Sequence, residues 1–598
     1  MNIVLAGISA KFIHTTLAVH LLSRYAEEQY GIRSRAAEFT INQSEDAILA
    51  ALYRLSPDLL GFSCYIWNYA LVRRLVPSLK KVLPGLKVFL GGPEVSFDPA
   101  AALAETGADF VLSGEGEEPF SRLCLALRDG LPLESVPSLC WREGGALRQT
   151  PPAPPLDLAK LPFAYGDLSG FDNRILYYEA QRGCPFDCQY CLSSAEKGVR
   201  FQPAGKAEAE LQRFLDAKVR QVKFVDRTFN ADPRFAMRIW RYLAAHDNGV
   251  TNFHFEIEGG LLTAEQLDFL RTVRPGLFQF EIGVQSANPE ALRAVRRRND
   301  FDKLAHVVRR LREGRNIHLH LDLIAGLPHE DYESFGRSFD LVYGLRPDQL
   351  QLGFLKLLKG SGLRRDAAEY GIVWREEPPY EVLKTAALPF GDLLQLKEIE
   401  ELLDLYCNSG RFAASLGYLM PLAGRPFALF EGFARWRREK GLAGAPHTLL
   451  DQYEHLREYG LRLPGCGAEA LGWRMRFDLY SHEKCRRLPG WLPALDTPAL
   501  QKARRALFAD PAFRREYLPE YDGLTPSQLE RTAHLDFFPF DLLDEGDKAG
   551  RDTPCALLFH YRRTDLLGRA AVIRLPGQKI RALLQQIDSF GDTIKMNW

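Results

Sequence analysis

The stretch Arg182-Gly183-Cys184-Pro185-Phe186-Asp187-Cys188-Gln189-Tyr190-Cys191 carries three cysteines within eight residues, spaced Cys-x3-Cys-x2-Cys. A tight loop of that spacing can aim three thiolates at one face of an iron–sulfur cube, whose irons are normally held by four cysteines. Only three are local, so one iron lacks a nearby protein sulfur. An open metal position is where chemistry takes place, as it is at a catalytic zinc. A structural zinc site is the rival reading, but it needs a close fourth ligand, and the next histidine is His246. Chance clustering of buried thiols is the other rival, and three of the ten cysteines falling in one loop argues against it.

At these residues the sequence resembles the radical S-adenosylmethionine (radical SAM) enzymes, with Tyr190 in the aromatic slot before Cys191. The resemblance implies that Cys184, Cys188 and Cys191 hold a [4Fe-4S] cluster whose unique iron is chelated by S-adenosylmethionine. It also implies that the reduced cluster generates a radical able to take hydrogen from a substrate. Working outward, residues 171–360 alternate strand and helix, with strands expected at 175–183, 221–228, 252–258, 277–286, 317–326 and 349–357. Six such units suit the partial (β/α)6 TIM-type barrel of that family, and such barrels place chemistry on the loops after strand carboxyl ends. The cysteine loop follows the first strand.

The other strand ends are polar, as a ligand with amino, carboxylate, ribose and adenine groups requires. By resemblance, Asp226 and Arg227 stand where the second strand meets the methionine amino group, although the family's Gly-Gly-Glu is absent. Glu258 stands as a ribose contact, and Gln285 and Ser286 as fourth-strand contacts. Arg297 follows that strand, and Tyr190 joins the same S-adenosylmethionine set. A run such as Arg296-Arg297-Arg298 is ordinarily a solvated helix face. A carboxylate directly after an apolar strand, as at Glu258, needs a partner. His318 and His320 alternate within a strand, and satisfied core histidines are an equally good reading of them.

Residues 1–130 also alternate strand and helix, with strands expected at 2–7, 34–41, 59–64, 87–92 and 110–114. That order reads as a Rossmann-like, doubly wound parallel sheet, whose ligands sit beyond strand carboxyl ends. No Gly-x-Gly-x-x-Gly follows the first strand, which disfavours a nicotinamide dinucleotide. This part resembles the cobalamin-binding domain that precedes the core in one radical SAM subgroup. The resemblance rests on Ser63-x-Tyr65, on Gly91-Gly92 25 residues later with Glu94 close by, and on Gly114-Glu115-Gly116-Glu117. It implies cobalamin contacts at those nine residues. The Asp-x-His-x-x-Gly motif is missing, so cobalt bound without a lower histidine is implied, and His14 receives no role.

Pro151-Pro152-Ala153-Pro154-Pro155 favours extended geometry and marks 131–170 as a linker. Residues 361–415 read as a helical extension of the core. Residues 416–598 read as a mostly helical, aromatic-rich C-terminal domain without an assigned role, ending in strands at 555–561 and 571–575. Lys+Arg and Asp+Glu both number 76, so nothing global draws the chain to nucleic acid or an anionic membrane. No run approaches a spanning helix, the N-terminus lacks a basic leader, and the scattered cysteines suit reduced thiols in a cytoplasm. The expectation is therefore a cytoplasmic enzyme with a small-molecule or peptide substrate and an external electron donor such as flavodoxin or ferredoxin. By subgroup resemblance its reaction is methylation of an unactivated carbon. Radical rearrangement, cyclisation or oxidation without methyl transfer is one alternative, and a non-catalytic cluster- and cobalamin-binding sensor or carrier is another. A methylthiotransferase acting on RNA would need three further cluster cysteines in the N-terminal part, where Cys64, Cys124 and Cys140 are the only ones and Cys140 reads as part of a strand.

Overall fold

In the first strands, successive side chains alternate between two apolar cores, which is what a sheet covered on both faces demands. Val4, Ala6, Leu60, Phe62, Val88, Leu90 and Val111 pack on one side. Ile3, Leu5, Leu59, Phe89, Phe110 and Leu112 pack on the other. Each fully buried side chain of this kind is worth about 1.5–3 kcal/mol. The strands are β1 (Ile3–Ser9), β2 (Arg35–Thr40), β3 (Leu59–Ser63), β4 (Lys87–Gly91) and β5 (Phe110–Leu112). They run in the order β2-β1-β3-β4-β5, all parallel. An antiparallel hairpin, β6 (Leu139–Glu143) and β7 (Ala146–Gln149), continues the sheet beyond β5. These two strands fall within the 131–170 stretch that the sequence suggests is a linker.

This computed structural model describes residues 1–195, 198–485, 488–495, 497–543, 554–565 and 567–581. The last part of the 416–598 assignment, from 582 onward, lies outside the described residues. The chain divides into two units, Met1–Ser338 with Leu352–Leu393, and Phe339–Gln351 with Leu394–Trp598.

The second sheet has six strands in sequence order: β8 (Ile175–Tyr178), β11 (Gln221–Phe224), β12 (Asn252–Ile257), β13 (Phe278–Gln285), β14 (His318–Ala325) and β15 (Gln349–Phe354). Pairing is parallel from β8 to β14. The first barrel strand is shorter than the expected 175–183. After Tyr178 the chain leaves the sheet and forms an antiparallel hairpin of β9 (Gln181–Cys184) and β10 (Gly198–Phe201). The cysteine loop is thus carried on a hairpin. Gly183 permits it: φ is +99°, and a Cβ there would stand 2.2 Å from the Gly198 carbonyl oxygen.

Alternation in this sheet differs from that in the first. Along β13, Phe278, Phe280, Ile282 and Val284 are fully buried, while Gln279, Glu281, Gly283 and Gln285 are partly exposed. One side of each strand is therefore apolar and the other ionisable. Helices start at side-chain caps that satisfy their free amides: Asp232 Oδ1 accepts from the Arg234 and Phe235 amides, and Asp300 from that of Lys303. A short antiparallel pair, β16 (Val373–Trp374) and β17 (Val382–Lys384), completes the strands of this unit.

The second unit is mostly helical, with helices including Ala413–Ala423, Pro426–Glu439, Leu449–Gly460 and Ala468–His482. Buried Asp478 caps the first of these, accepting from the Ala414 and Ser415 amides at 2.8 Å. Burial pushes its carboxyl up to about 7. The sheet β18 (His534–Phe538), β19 (Cys555–Thr564) and β20 (Ala570–Arg574) is antiparallel. It buries Asp536 against Arg476, 2.6 Å away.

Candidate active site

Cys184, Cys188 and Cys191 open into one cavity of about 210 Å³, lined also by residues from the carboxyl ends of β11, β12, β13 and β14. The Cys191 amide donates to the Cys188 carbonyl at 3.0 Å, closing the last turn of the loop. The Gln189 amide donates to the Val295 carbonyl at 2.9 Å, and the Leu363 amide to the Gln189 carbonyl at 2.8 Å. These bonds anchor the loop on both sides. Cys184 Sγ lies 3.4 Å from Thr228 Oγ1, and Arg297 Nη1 lies 3.9 Å from Cys188 Sγ. None of the ten cysteines forms a disulfide. Among the described residues, the only His/Cys/Asp/Glu set whose ligand atoms gather within 4.8 Å of one another contains none of these cysteines. The three sulfurs thus do not converge on one ion, as a mononuclear zinc site requires. Three thiols spread around a shared void fit a polynuclear cluster instead.

Five of the seven residues expected to contact S-adenosylmethionine line this cavity: Tyr190, Arg227, Glu258, Gln285 and Arg297. Arg297 is not on a solvated face. Its Nη2 donates to Glu258 Oε2 at 2.6 Å and to the Gly283 carbonyl at 2.5 Å. The two side chains are 11% and 8% exposed. Asn230 fixes the end of β12 from below, donating to the Glu258 carbonyl and accepting from its amide, both at 2.9 Å. Gln285 adopts φ +69°, where the β13–β14 register shifts. A non-glycine residue in that region is a form of stored strain that collects at functional sites.

The other two turn away. Asp226 is 1% exposed and accepts from the Ala180 amide at 3.1 Å. Burial holds its carboxyl well above the usual range. Ser286 is fully buried and donates to Glu330 Oε1 at 2.6 Å. Residues outside the expected set also line the cavity, among them Phe186, Thr228, Glu256, Glu281, Gly283 and Asp322. Glu256 and Glu281 sit two and four residues before Glu258 and Gln285 on the same strand face. The period of two would have found them.

The nine candidate cobalamin residues gather at the carboxyl edge of the first sheet. Ser63 ends β3 and Gly91 ends β4, while 114–117 follow β5. Gly92 is required there, because φ is +104° and a Cβ would lie 2.6 Å from the Cys64 carbonyl oxygen. Tyr65 stacks on Trp67 at 4.3 Å, and Trp67 is 45% exposed. A Cβ at Gly114 would meet only open space. An exposed ring beside bare backbone forms an edge that a broad, flat ligand fits.

Three carboxylates of this set are occupied by protein. Buried Glu94 accepts from the Tyr380 hydroxyl and lies 3.2 Å from Lys359 Nζ. Glu117 lies 2.7 Å from Arg182, and Glu115 lies 3.2 Å from Arg182 and also pairs with Arg200. Burial alone would raise the Glu115 carboxyl. The neighbouring Arg200 and Arg182 reverse that and hold it below its usual value. The sheet edge is in this way ion-paired to β9 and β10, the hairpin that carries Cys184. His14 Nδ1 lies 2.8 Å from the Tyr177 hydroxyl of β8.

Comparisons with known proteins agree with this layout. Residues 3–124 match the sequence model of the B12 binding domain, residues 178–342 that of the Radical SAM superfamily, and residues 368–559 that of a protein of unknown function (DUF4080). The chain thus carries a B12-binding domain followed by a Radical SAM domain. The stretch that matches DUF4080 follows the Radical SAM domain. The radical SAM domain implies a [4Fe-4S] cluster and S-adenosylmethionine, and the B12-binding domain implies cobalamin. The 2-(S-pantetheinyl)-carbapenam-3-carboxylate methyltransferase of Streptantibioticus cattleyicolor is 26% identical over 307 residues, which cover 47% of this chain and 44% of that protein. The cobalamin-dependent radical SAM methyltransferase TokK of Streptomyces tokunonensis is 25% identical over 355 residues, covering 53% and 50%. The chain thus spans about half the length of these curated relatives. The solved structure of the radical S-adenosylmethionine methyltransferase TsrM from Kitasatospora setae shares the fold, with a TM-score of 0.54 and 16% identity over 63% of this chain and 78% of that one. No described helix is long and apolar enough to cross a membrane.

Proposed function

We propose that this chain is a cobalamin-dependent radical SAM methyltransferase that methylates an unactivated carbon of a small-molecule or peptide substrate. The observation that carries the reading is the single cavity onto which the three loop cysteines and the carboxyl ends of four barrel strands open together. Cys184, Cys188 and Cys191 would hold the cluster. Tyr190, Arg227, Glu258, Gln285 and Arg297 would hold S-adenosylmethionine, and Ser63, Tyr65, Gly91, Gly92, Gly114 and Gly116 would meet the corrin. When bound, the cluster with S-adenosylmethionine supplies radical chemistry and cobalamin supplies a transferable methyl group. Glu258 is pre-set to accept from ligand hydroxyls, because Arg297 and Asn230 fix its carboxylate and its backbone. Phe186 and Ile257 add apolar lining that limits water beside the cysteines. Glu94, Glu115 and Glu117 keep the sheet edge in register with the barrel.

We assign 1–149, including the β6–β7 hairpin that continues the first sheet, to the cobalamin-binding domain, 150–170 to a linker, 171–360 to the core and 361–415 to its extension. Residues 416–598 form a further domain. A cytoplasmic setting and a flavodoxin- or ferredoxin-type electron donor follow from the reading. The relatives named as methyltransferases support it.

The test is anaerobic purification from a cobalamin-fed host, with quantification of iron, sulfide and corrinoid. Incubation with methyl-deuterated S-adenosylmethionine and the small-molecule fraction of the host would come next. Stoichiometric cluster and corrinoid, cluster loss in Cys184→Ala, and a deuteromethylated product accompanied by S-adenosylhomocysteine are expected. A cluster without corrinoid, or 5′-deoxyadenosine without any S-adenosylhomocysteine, would overturn methyl transfer.

A further inference from the structure

Below the cavity, the inward faces of β11 to β14 carry a cluster of ionisable side chains that the proposed methyl transfer does not use. It comprises Lys223, His254, Glu256, Glu281, His320 and Asp322. Lys223 Nζ lies 3.1 Å from Glu281 Oε2 and 4.0 Å from Glu256 Oε1. His254 Nε2 lies 3.1 Å from Glu281 Oε2, and His320 Nε2 lies 3.0 Å from Asp322 Oδ1. His254 Nε2, His320 Nε2 and Asp322 Oδ1 are buried, and outside these ion pairs none of them has a hydrogen-bond partner. Both histidines are 6% exposed. Buried polar atoms with hydrogen-bonding capacity left over mark a place for an ion or a water.

Two further observations point to a cation. One ligand atom each from Glu281, His320 and Asp322 lies within 4.8 Å of the other two. Bonds of about 2.0–2.2 Å to nitrogen and oxygen set ligand atoms about 3 Å apart in neighbouring positions and about 4.2 Å apart in opposite ones. The 3.0 Å spacing of His320 and Asp322 is thus already that of adjacent ligands, and the third atom needs a shift of at most about 2 Å to reach a neighbouring position. Charge agrees with geometry. Glu256, Glu281 and Asp322 reach the cavity floor, and the cations facing them are Lys223 and Arg227. The three carboxylates outnumber these two cations by one.

We propose that Glu281, His320 and Asp322 form a second metal site on the floor of the barrel. It would hold a divalent first-row cation through one imidazole and two carboxylates. Such a nitrogen–oxygen set suits Mn²⁺, Fe²⁺ or Zn²⁺. With three protein ligands, at least one coordination position faces the cavity, so the site orients an oxygen or nitrogen donor of the substrate. This substrate role rests on the proposed methyl transfer, whereas metal binding itself is read without turnover, so the two can fail independently.

Mn²⁺ is the probe, because hard cations bind poorly to the cluster thiolates. Room-temperature electron paramagnetic resonance of free Mn²⁺ is followed as the full-length, cluster-loaded protein is titrated with the cluster oxidised. One saturable Mn²⁺ per chain is expected. It should be at least tenfold weaker in His320→Ala and Asp322→Asn and unchanged in Cys184→Ala. Lys223→Met removes the cation that competes for Glu281 and should tighten Mn²⁺ binding severalfold, a gain that no folding defect imitates. Absence of saturable binding, loss of the site in Cys184→Ala, or an affinity in Lys223→Met no tighter than the parent's would each overturn the assignment.

Discussion

Arg182 stands directly before the glycine and first cysteine of the cluster loop, and its guanidinium serves three carboxylates. Nη2 lies 2.7 Å from both Glu117 and Glu179, and Nη1 lies 3.2 Å from Glu115. The Arg182 side chain is 15% exposed and that of Glu117 is 5% exposed, so these ions are poorly screened. Arg182→Met keeps much of the side-chain length and removes the charge, leaving Glu117 and Glu179 buried without a counter-ion. Removing one partner of a buried pair costs about 3–5 kcal/mol. Because Arg200 still serves Glu115, a loss of about 3 kcal/mol is expected. Unfolding entropy of about 2.1 cal/mol/K per residue converts that into a fall of about 4 °C in Tm for a unit of this size. Scanning calorimetry of Arg182→Met, Glu117→Gln and the double variant reads the coupling directly. The double variant should recover about 1–2 kcal/mol relative to the sum of the singles, since the stranded Glu117 charge is gone. Strict additivity, or a loss in Arg182→Met below about 0.5 kcal/mol, would refute the claim that this pair holds the sheet edge to the cluster hairpin.

Glu258→Gln should weaken S-adenosylmethionine binding about 10- to 100-fold by calorimetric titration, because it turns one of the two acceptor oxygens into a donor and removes the charge that fixes Arg297. Arg296→Gln, whose side chain is 61% exposed beside Asp187, should change little, as exposed ion pairs do. Gly183→Ala should lose iron and sulfide while the second unit's thermal transition is retained, since both φ and the Gly198 carbonyl exclude a Cβ. Glu330 gives a pH prediction. Burial raises its carboxyl to about 7, so between about pH 4.5 and 7 the folded chain binds the extra proton and stability falls as pH rises. Glu330→Gln should remove that slope, matching the parent near pH 5 and exceeding it at pH 8 by at most about 3 kcal/mol, as read by denaturant unfolding at the two pH values.

Much of the site was legible because it is written in local spacing. The cysteine loop needs only eight residues, and Glu258, Gln285 and Arg297 stand at or just past the carboxyl ends of apolar strands, where a polar group is conspicuous. The hairpin that carries Cys184 was not legible. Residues 175–183 look like one continuous strand, and only the pairing with 198–201 breaks it. Ser286 and Asp226 turn to the core and not to the cavity for a related reason: side chains at a strand end alternate, and one residue decides which of the two a group meets. The ties from Glu115 and Glu117 to Arg182 and Arg200 join positions 65 to 85 residues apart. No periodicity records such a pair.

The polar floor of the barrel was written in the sequence in plain form, as Phe253-His254-Phe255-Glu256-Ile257-Glu258 and His318-Leu319-His320-Leu321-Asp322-Leu323. Read by period two, each segment has one face fully apolar and one fully ionisable. A half-buried strand shows the same pattern with water on its polar side, so the pattern alone does not locate the polar face. Topology does. In the six-stranded sheet the apolar side is taken up by fully buried Phe253, Phe255, Phe278, Phe280, Leu319 and Leu321, which leaves the ionisable side to face inward. The first sheet has no such side, because both of its faces are apolar, and its ligand is left with the edge. The same two-residue period therefore places one candidate cofactor site at the rim of a sheet and the other inside a barrel.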